Sequence, residues 1–436
     1  MAKVRKVRTA TVLLWGKEVG VVAWDEDRRV GSFQYTPEFV HGGYEISPLM
    51  MPLDQGRIYV FPALNKETYL RLPGLIADTL PDSYGNALID IWLRRKGRDP
   101  GDFSPVERLC YMGRRGMGAL EFKPAIGPQA RKAMPIEIEE LTQLASEVLR
   151  QRTDLTVDLK GSKAEALKMF IRVGTSAGGA RAKAVIAWNP KTNEVRSGQV
   201  RAPKGFESWL LKFDGANRDT LGDPEGFGRI EYAYYKMATA AGIEMTKCRL
   251  LEEDGRAHFM TRRFDRTDAG DKIHMQSLCA MGHFDFNAPG EYSYEHAFGV
   301  IQQLNLGYPV VQEMYRRMVF NVIGRNHDDH TRNIAFLMDK TGAWRLAPAY
   351  DVTWCYNPRG RWSVRHQMRI RGKQDNFTRD DLLSVADRYG IKDTKDIISG
   401  VYDAILHWPK FAEEAGVAPE MIKEISATHR LDIGKQ

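Results

Sequence analysis

One short segment limits this chain more than any other: Asn326-His327-Asp328-Asp329-His330-Thr331-Arg332-Asn333. It follows the apolar run MVFNVIG, which reads as a helix, and holds two carboxylates, two imidazoles and two amides. Burying so many polar groups is costly unless each finds a partner, so the fold must use them. Three uses compete. His327, Asp328, Asp329 and His330 could bind a metal in a phosphohydrolase. That use needs further ligands, and His258, His274, His283 and His296 are scattered without ligand-type spacing. Alternatively, Asp328 and Asn333 stand in a D-x-x-x-x-N offset, which puts a proton-accepting carboxylate and a metal-binding amide on one loop, as phosphotransferases require. The third use is a polar loop that only caps helices.

Three more segments bear on the choice. Gly174-Thr175-Ser176-Ala177-Gly178-Gly179-Ala180-Arg181-Ala182-Lys183 is rich in small residues, whose backbone N–H groups can approach an anion. It is neither GxxxxGK[ST] nor GxGxxG, and alone it reads as a hairpin turn. Lys212 lies in the strand-like WLLKFD and either holds a phosphate as a point charge or sits solvated on an outer face. Asp351 closes LAPAYD, after a strand-like stretch. It is a second hard oxygen ligand for Mg2+ or an ordinary turn carboxylate. In order, the four segments follow kinase logic: a phosphate-covering loop, a strand lysine, an Asp/Asn loop, then a metal-binding Asp.

The rest of the chain accommodates such an enzyme. Its 436 residues suggest two or three domains, at about 150 residues each. At 43% hydrophobic and 27% charged residues it can build ordinary cores. The net charge of +7 is a mild excess, compatible with anionic partners without naming one. Cys110, Cys248, Cys279 and Cys355 include no CxxC pair, which argues against a zinc ribbon or a dithiol motif. The run Val12-Leu13-Leu14-Trp15 stops at Gly16-Lys17, too short for a signal-peptide core, and no apolar run approaches the roughly 20 residues of a membrane span. A soluble, cytoplasmic protein is expected.

Patterning predicts an N-terminal hairpin over 9–35, a helix after Pro81, loops around 97–118 and 123–135, and a helix in IEIEELTQLASEVLRQ. Strands are expected on either side of the small-residue turn, at 207–215 and at 257–266, and a helix over 226–242. Residues 290–338 read mainly helical. The order suggests an α+β fold with a cleft between lobes. Tyr232, Tyr234 and Tyr235 read as core packing, as do Met275 and Met281.

LPGLIADTLPDSYGN, VGTSAGGARAKA, LLKF, RRFDR, GRNHDDHTRN and APAYD together resemble, in sequence and order, the HipA family of serine/threonine kinases, toxins of bacterial toxin–antitoxin pairs. The resemblance covers most of the chain. It implies a bilobal, protein-kinase-like core with a small β-rich N-terminal subdomain (1–125), a nucleotide-binding lobe (126–265) and a helical C-terminal lobe (266–436). It implies ATP and Mg2+ as cofactors and Asp328 as the catalytic carboxylate. Asn333 and Asp351 resemble the metal ligands, and Lys212 the lysine on the ATP phosphates. Gly178, Gly179, Ala180, Arg181 and Lys183 fall in the phosphate loop, and Arg262, Arg263 and Phe264 on the adenine hinge. His330 and Tyr350 fall on nucleotide-contacting positions, and Ser176 on a serine that family toxins autophosphorylate.

Implied partners are a protein substrate, for which family members supply aminoacyl-tRNA synthetases, and a small helix-turn-helix antitoxin, with DNA reached only through it and no membrane. The chain departs from the pattern at Arg262, where some members have Glu, and at Asp329, where some have Gly. Thr175 is a second candidate beside Ser176. The arginine-rich, acid-free strip 359–373 is a solvated basic face, a substrate-docking surface or a contact to DNA backbone.

Overall fold

The computed structural model describes residues 6–128, 132–150, 174, 181–215, 226–253, 255–360 and 362–434. Their contacts divide the chain into two compact units. The first holds residues 1–47, 51–225 and 251–275, and the second 48–50, 226–250 and 276–436.

In the first unit, a two-residue turn starts the chain's first sheet. Trp15 and Gly16 both have positive φ (50° and 84°), the geometry whose twist matches paired strands, between β1 (Thr9–Leu14) and β2 (Lys17–Asp25). β3 (Val30–Tyr35), β4 (Ile58–Val60) and β5 (Leu120–Lys123) complete an antiparallel sheet of order β4-β3-β2-β1-β5. The expected helix is Ser83–Arg95, with Asp82 accepting hydrogen bonds from the Tyr84 and Gly85 amides. The loop expected over 97–118 is instead partly a helix, Pro105–Met112, with Ser104 and Glu107 forming a reciprocal capping box. Glu107 is fully buried and takes two hydrogen bonds from Arg98, so the cap also bridges to the preceding segment.

A second sheet runs β7-β6-β8-β10-β9, from β6 (Lys183–Trp188), β7 (Val195–Ser197), β8 (Glu207–Lys212), β9 (Cys248–Glu253) and β10 (Arg256–Arg262). Every residue of β6 is buried, which explains its unbroken apolar run after Lys183.

The second unit is mainly helical. Helices Phe227–Ala240, Tyr294–Gln303, Gly307–Ile323, Arg379–Tyr389 and Thr394–Leu406 share one core. Tyr234 is fully buried against Phe320 and Trp408, as its helical spacing predicted. Its hydroxyl donates to the Gly324 carbonyl at 2.6 Å, pinning the end of helix Gly307–Ile323. The helical expectation for 290–338 holds over Tyr294–Gln303 and Gly307–Ile323 and breaks from Gly324 on. β12 (Ala335–Met338) is a buried strand that pairs with β13 (Trp344–Leu346), beside β11 (His274–Ser277). The four cysteines are free thiols. Among the described residues no helix is long and apolar enough to cross a membrane.

Candidate active site

Helix Gly307–Ile323 buries one face and stops at Gly324; Arg325, at φ 56°, then turns the chain out of the helical direction. Backbone bonds to Cys355 on either side of Asn326 (Cys355 N to Arg325 O, His327 N to Cys355 O) fix the start of the polar loop. A short 3-10 turn, Thr331–Asn333, ends it and feeds β12. The polar segment is therefore a tightly held connection between a buried helix and a buried strand.

The two adjacent aspartates face opposite environments. Asp329 is 4% exposed, and its carboxylate accepts three hydrogen bonds: from the Tyr294 hydroxyl (2.8 Å), from His366 Nδ1 (2.9 Å) and from the Gln367 amide (2.8 Å). Tyr294 receives a bond from Asn321, which in turn accepts one from Asn326. Burial and the neighbouring Asp329 push the Tyr294 phenol well above its usual pKa, so it remains a donor. Asp328 carries 52% of its side chain in solvent. Its carbonyl accepts from Asn333 Nδ2 at 2.8 Å, which locks the Asn333 amide onto the loop. His330 Nε2 lies 3.7 Å from Asp328 Oδ1, and the His330 ring packs near Phe286.

Asp351 reaches the same neighbourhood by a strained route. Its φ is +52°, a left-handed conformation that a non-glycine residue adopts at a cost of about 1–2 kcal/mol. The residues just before it are tied in place. The Ala349 amide bonds the Glu244 carbonyl, the Tyr350 hydroxyl donates to the Arg332 carbonyl (2.6 Å), and Arg317 donates to Ala347 O. Such strain, held by surrounding bonds, is characteristic of functional positions. His330, Asn333, Tyr350 and Asp351 line one pocket of the second unit.

This geometry separates the residues of the phosphohydrolase reading. Asp329 is committed to its three donors. His327 is buried, donates from Nδ1 to the Ser363 carbonyl and lies ring to ring with His366. Burial, with His366 and two arginines, pushes His327 down to about 2. Among the described residues no three His, Cys, Asp or Glu side chains gather as a metal-ligand set.

In the first unit, Lys183 and Lys212 are direct cross-strand partners, as are Lys212 and Phe259, so the three side chains share one face of the sheet. Both lysines are at least nine-tenths buried, and Lys212 Nζ sits 5.5 Å from the Phe259 ring centre. A Cβ at Gly174 would fall 2.6 Å from Leu88 Cδ1, so a side chain there would have to displace that leucine's tip. Ala182 O accepts from the Phe213 amide and Arg181 is exposed, while Thr175, Ser176, Gly178, Gly179 and Ala180 lie outside the described residues.

At the expected hinge, Arg262 pairs with Asp268 (2.8 Å). Arg263 is buried in a two-pronged pair with Asp265. Burial alone would raise the Asp265 carboxyl, but Arg263, Arg266 and the Gly118 amide hold it far below the carboxylate range. Phe264 is half-buried. The clamp of Asp329 on His366 and Gln367 was invisible in the sequence. Asp329 stood out only as a second acid, and nothing marked His366 as its partner.

Residues 10–123 match the family model of the HipA N-terminal domain, and residues 175–431 match the HipA-like C-terminal domain. No curated protein matches in sequence. The chain is similar to HipA in a structure of the Shewanella oneidensis MR-1 toxin–antitoxin system HipA, HipB and its operator DNA complex. Identity is 17% and the TM-score 0.63, over 96% of this chain and 94% of that one. It is more distantly similar to the Helicobacter pylori proinflammatory kinase CtkA (14% identity, TM-score 0.33, 52% of this chain and 89% of that one). With one family domain spanning more than half of its length, the α+β, HipA-like chain belongs to the HipA family.

Proposed function

We propose that the chain is an ATP- and Mg2+-dependent serine/threonine protein kinase, the toxin of a toxin–antitoxin pair. The carrying observation is the split between the two aspartates: Asp329 is buried and spent, while Asp328 is held in solvent on a loop bonded to Asn333. Asn333 and Asp351 offer the hard oxygen donors that Mg2+ takes, and with Nδ2 bonded to Asp328 O the Asn333 ligand atom is Oδ1. The ion, when bound, neutralises charge on the β- and γ-phosphates.

Asp328 aligns a protein hydroxyl and takes its proton as the hydroxyl oxygen bonds the γ-phosphorus; the bond from that phosphorus to the β–γ bridging oxygen breaks and ADP leaves. Lys212, with Lys183 beside it, holds the phosphates as a concentrated positive charge. Gly178, Gly179, Ala180 and Arg181 contribute the phosphate loop. Because Arg262 and Arg263 already carry carboxylate partners, the hinge meets adenine through its backbone and Phe264. His330 and Tyr350 border the nucleotide.

The substrate is a protein of translation, such as an aminoacyl-tRNA synthetase. Autophosphorylation at Ser176 adds nearly two negative charges to the phosphate loop and switches the enzyme off. The partner is a helix-turn-helix antitoxin, as the HipA–HipB–DNA complex of the Shewanella relative suggests. The protein acts in the cytoplasm.

The test is incubation with γ-labelled ATP and Mg2+ in a bacterial lysate, with mass spectrometry of the labelled bands. A phosphorylated Ser or Thr on a discrete protein is expected. ATP turnover without any labelled protein would overturn the proposal.

A further inference from the structure

Within the basic strip, residues 362–373 are not a loose loop. His366, Gln367, Met368 and Ile370 point inward and are buried, while Arg365, Arg369 and Arg371 are exposed. Its backbone is tied at several places. The Gln367 amide bonds Asp329 Oδ1, and the Gln367 carbonyl accepts from Gly290 N (2.8 Å). The Arg369 amide bonds Tyr292 O, and its carbonyl accepts from Tyr294 N. Ile370 and Lys373 exchange two backbone bonds. Trp362, whose carbonyl accepts from the Gln367 side chain, is 53% exposed, unusual for an indole.

The local acids are engaged elsewhere. Asp329 holds His366, Asp375 faces Arg430 and Arg325, Asp381 holds Lys373, and Glu295 accepts the Arg371 amide. Among the described residues no carboxylate comes within ion-pair distance of the Arg359, Arg365, Arg369 or Arg371 guanidinium. The result is a tied backbone that carries exposed guanidinium forks and an exposed indole. It is bolted to the residue next to Asp328.

We propose that this surface docks an acidic segment of the protein substrate, with Asp and Glu residues flanking the acceptor hydroxyl. The inference rests on the kinase reading above and adds a substrate preference to it. Guanidinium forks match carboxylates in two-pronged geometry, and an anchor on Asp329 fixes whatever they hold relative to the proton acceptor at Asp328. On the kinase reading the acceptor at Asp328 is a protein hydroxyl, so a segment of the protein substrate is the occupant that this surface would hold in register with it.

The test measures binding apart from catalysis. Fluorescein-labelled peptides with a central Ser flanked by Glu, Ala or Lys are titrated by anisotropy at two salt concentrations, with poly(U) as competitor. The full-length wild type is compared with the triple variant Arg365→Glu, Arg369→Glu, Arg371→Glu. The Glu peptide should bind at least tenfold tighter than the Ala peptide, and more weakly at high salt. The triple variant should lose that preference and gain one for the Lys peptide. Its Mg-ATP-dependent thermal shift should remain, which shows that it is folded. Equal binding of all three peptides, an unchanged preference in the variant, or capture of poly(U) in place of the Glu peptide would each overturn the proposal. Tight, charge-dependent binding without phosphate transfer would leave the docking surface standing and count against the kinase reading.

Discussion

Replacing Asp329 and replacing Asp328 should damage the protein in opposite ways, although the two are adjacent in sequence. Asp329→Ala strands three donors in a dry site: the Tyr294 hydroxyl, His366 Nδ1–H and the Gln367 amide. A stranded buried donor costs ~1–3 kcal/mol. Removing one partner from a buried charged network costs ~3–5 kcal/mol in total. Asp328→Asn alters a half-exposed side chain whose backbone supplies the structural bond to Asn333, so its stability should change by no more than ~0.5 kcal/mol. For a unit of this size each kcal/mol moves the melting temperature by ~2–4 °C. Asp329→Ala should therefore melt roughly 10 °C below wild type, and Asp328→Asn within about 2 °C of it. Differential scanning calorimetry of the purified variants, with circular dichroism on the same samples, reads both. If Asp329→Ala melted with the wild type, the buried network would not be holding the loop. If Asp328→Asn lost as much stability as Asp329→Ala, Asp328 would be structural and the division of roles wrong.

Further outcomes follow from the same structure. Burial pushes His258, His274, His283 and His429 down to about 4, so these imidazoles stay neutral in the folded protein, whereas in the unfolded chain they protonate near pH 6.5. The unfolded state thus binds more protons, and stability must fall as pH drops from 6.5 toward 4, by up to ~1.4 kcal/mol per pH unit for each histidine. Urea midpoints that stayed flat from pH 7.5 to 5 would contradict this. Lys212→Met should abolish the rise in melting temperature that Mg-ATP gives the wild type, because ligand stabilisation follows binding affinity; a rise equal to wild type would remove Lys212 from the phosphate site. Ser176→Ala should eliminate self-labelling by γ-labelled ATP while Thr175→Ala retains it, and the reverse pattern would move the modification to Thr175.

Part of the candidate site was legible because its polar side chains are concentrated in a few short segments in a fixed order. Asp328, Asn333 and Asp351 stood out in the sequence as candidates with competing readings, and the fold brings His330, Asn333, Tyr350 and Asp351 to one pocket. What escaped was long-range pairing. The bond between Asp329 and His366 spans 37 residues and leaves no periodic trace. Arg263 stood out as a hinge candidate, but its buried pairing with Asp265 did not, a contact of close neighbours that strand periodicity does not report. The helix Pro105–Met112 hid inside a Gly/Pro/Arg-rich stretch, although Ser104 and Glu107 carried a readable capping signal. β12 was taken for helix because four consecutive buried apolar residues suit either structure.

The central claim is that Asp328 is the proton acceptor of a metal-assisted phosphate transfer to protein. The most direct measurement is the initial rate of label transfer from γ-labelled ATP to protein by wild type and Asp328→Asn, with Mg-ATP affinity measured by calorimetry on the same preparations. The account predicts Mg-ATP binding within a few-fold of wild type in the variant and a transfer rate at least a hundredfold lower. Transfer by Asp328→Asn at the wild-type rate would contradict it.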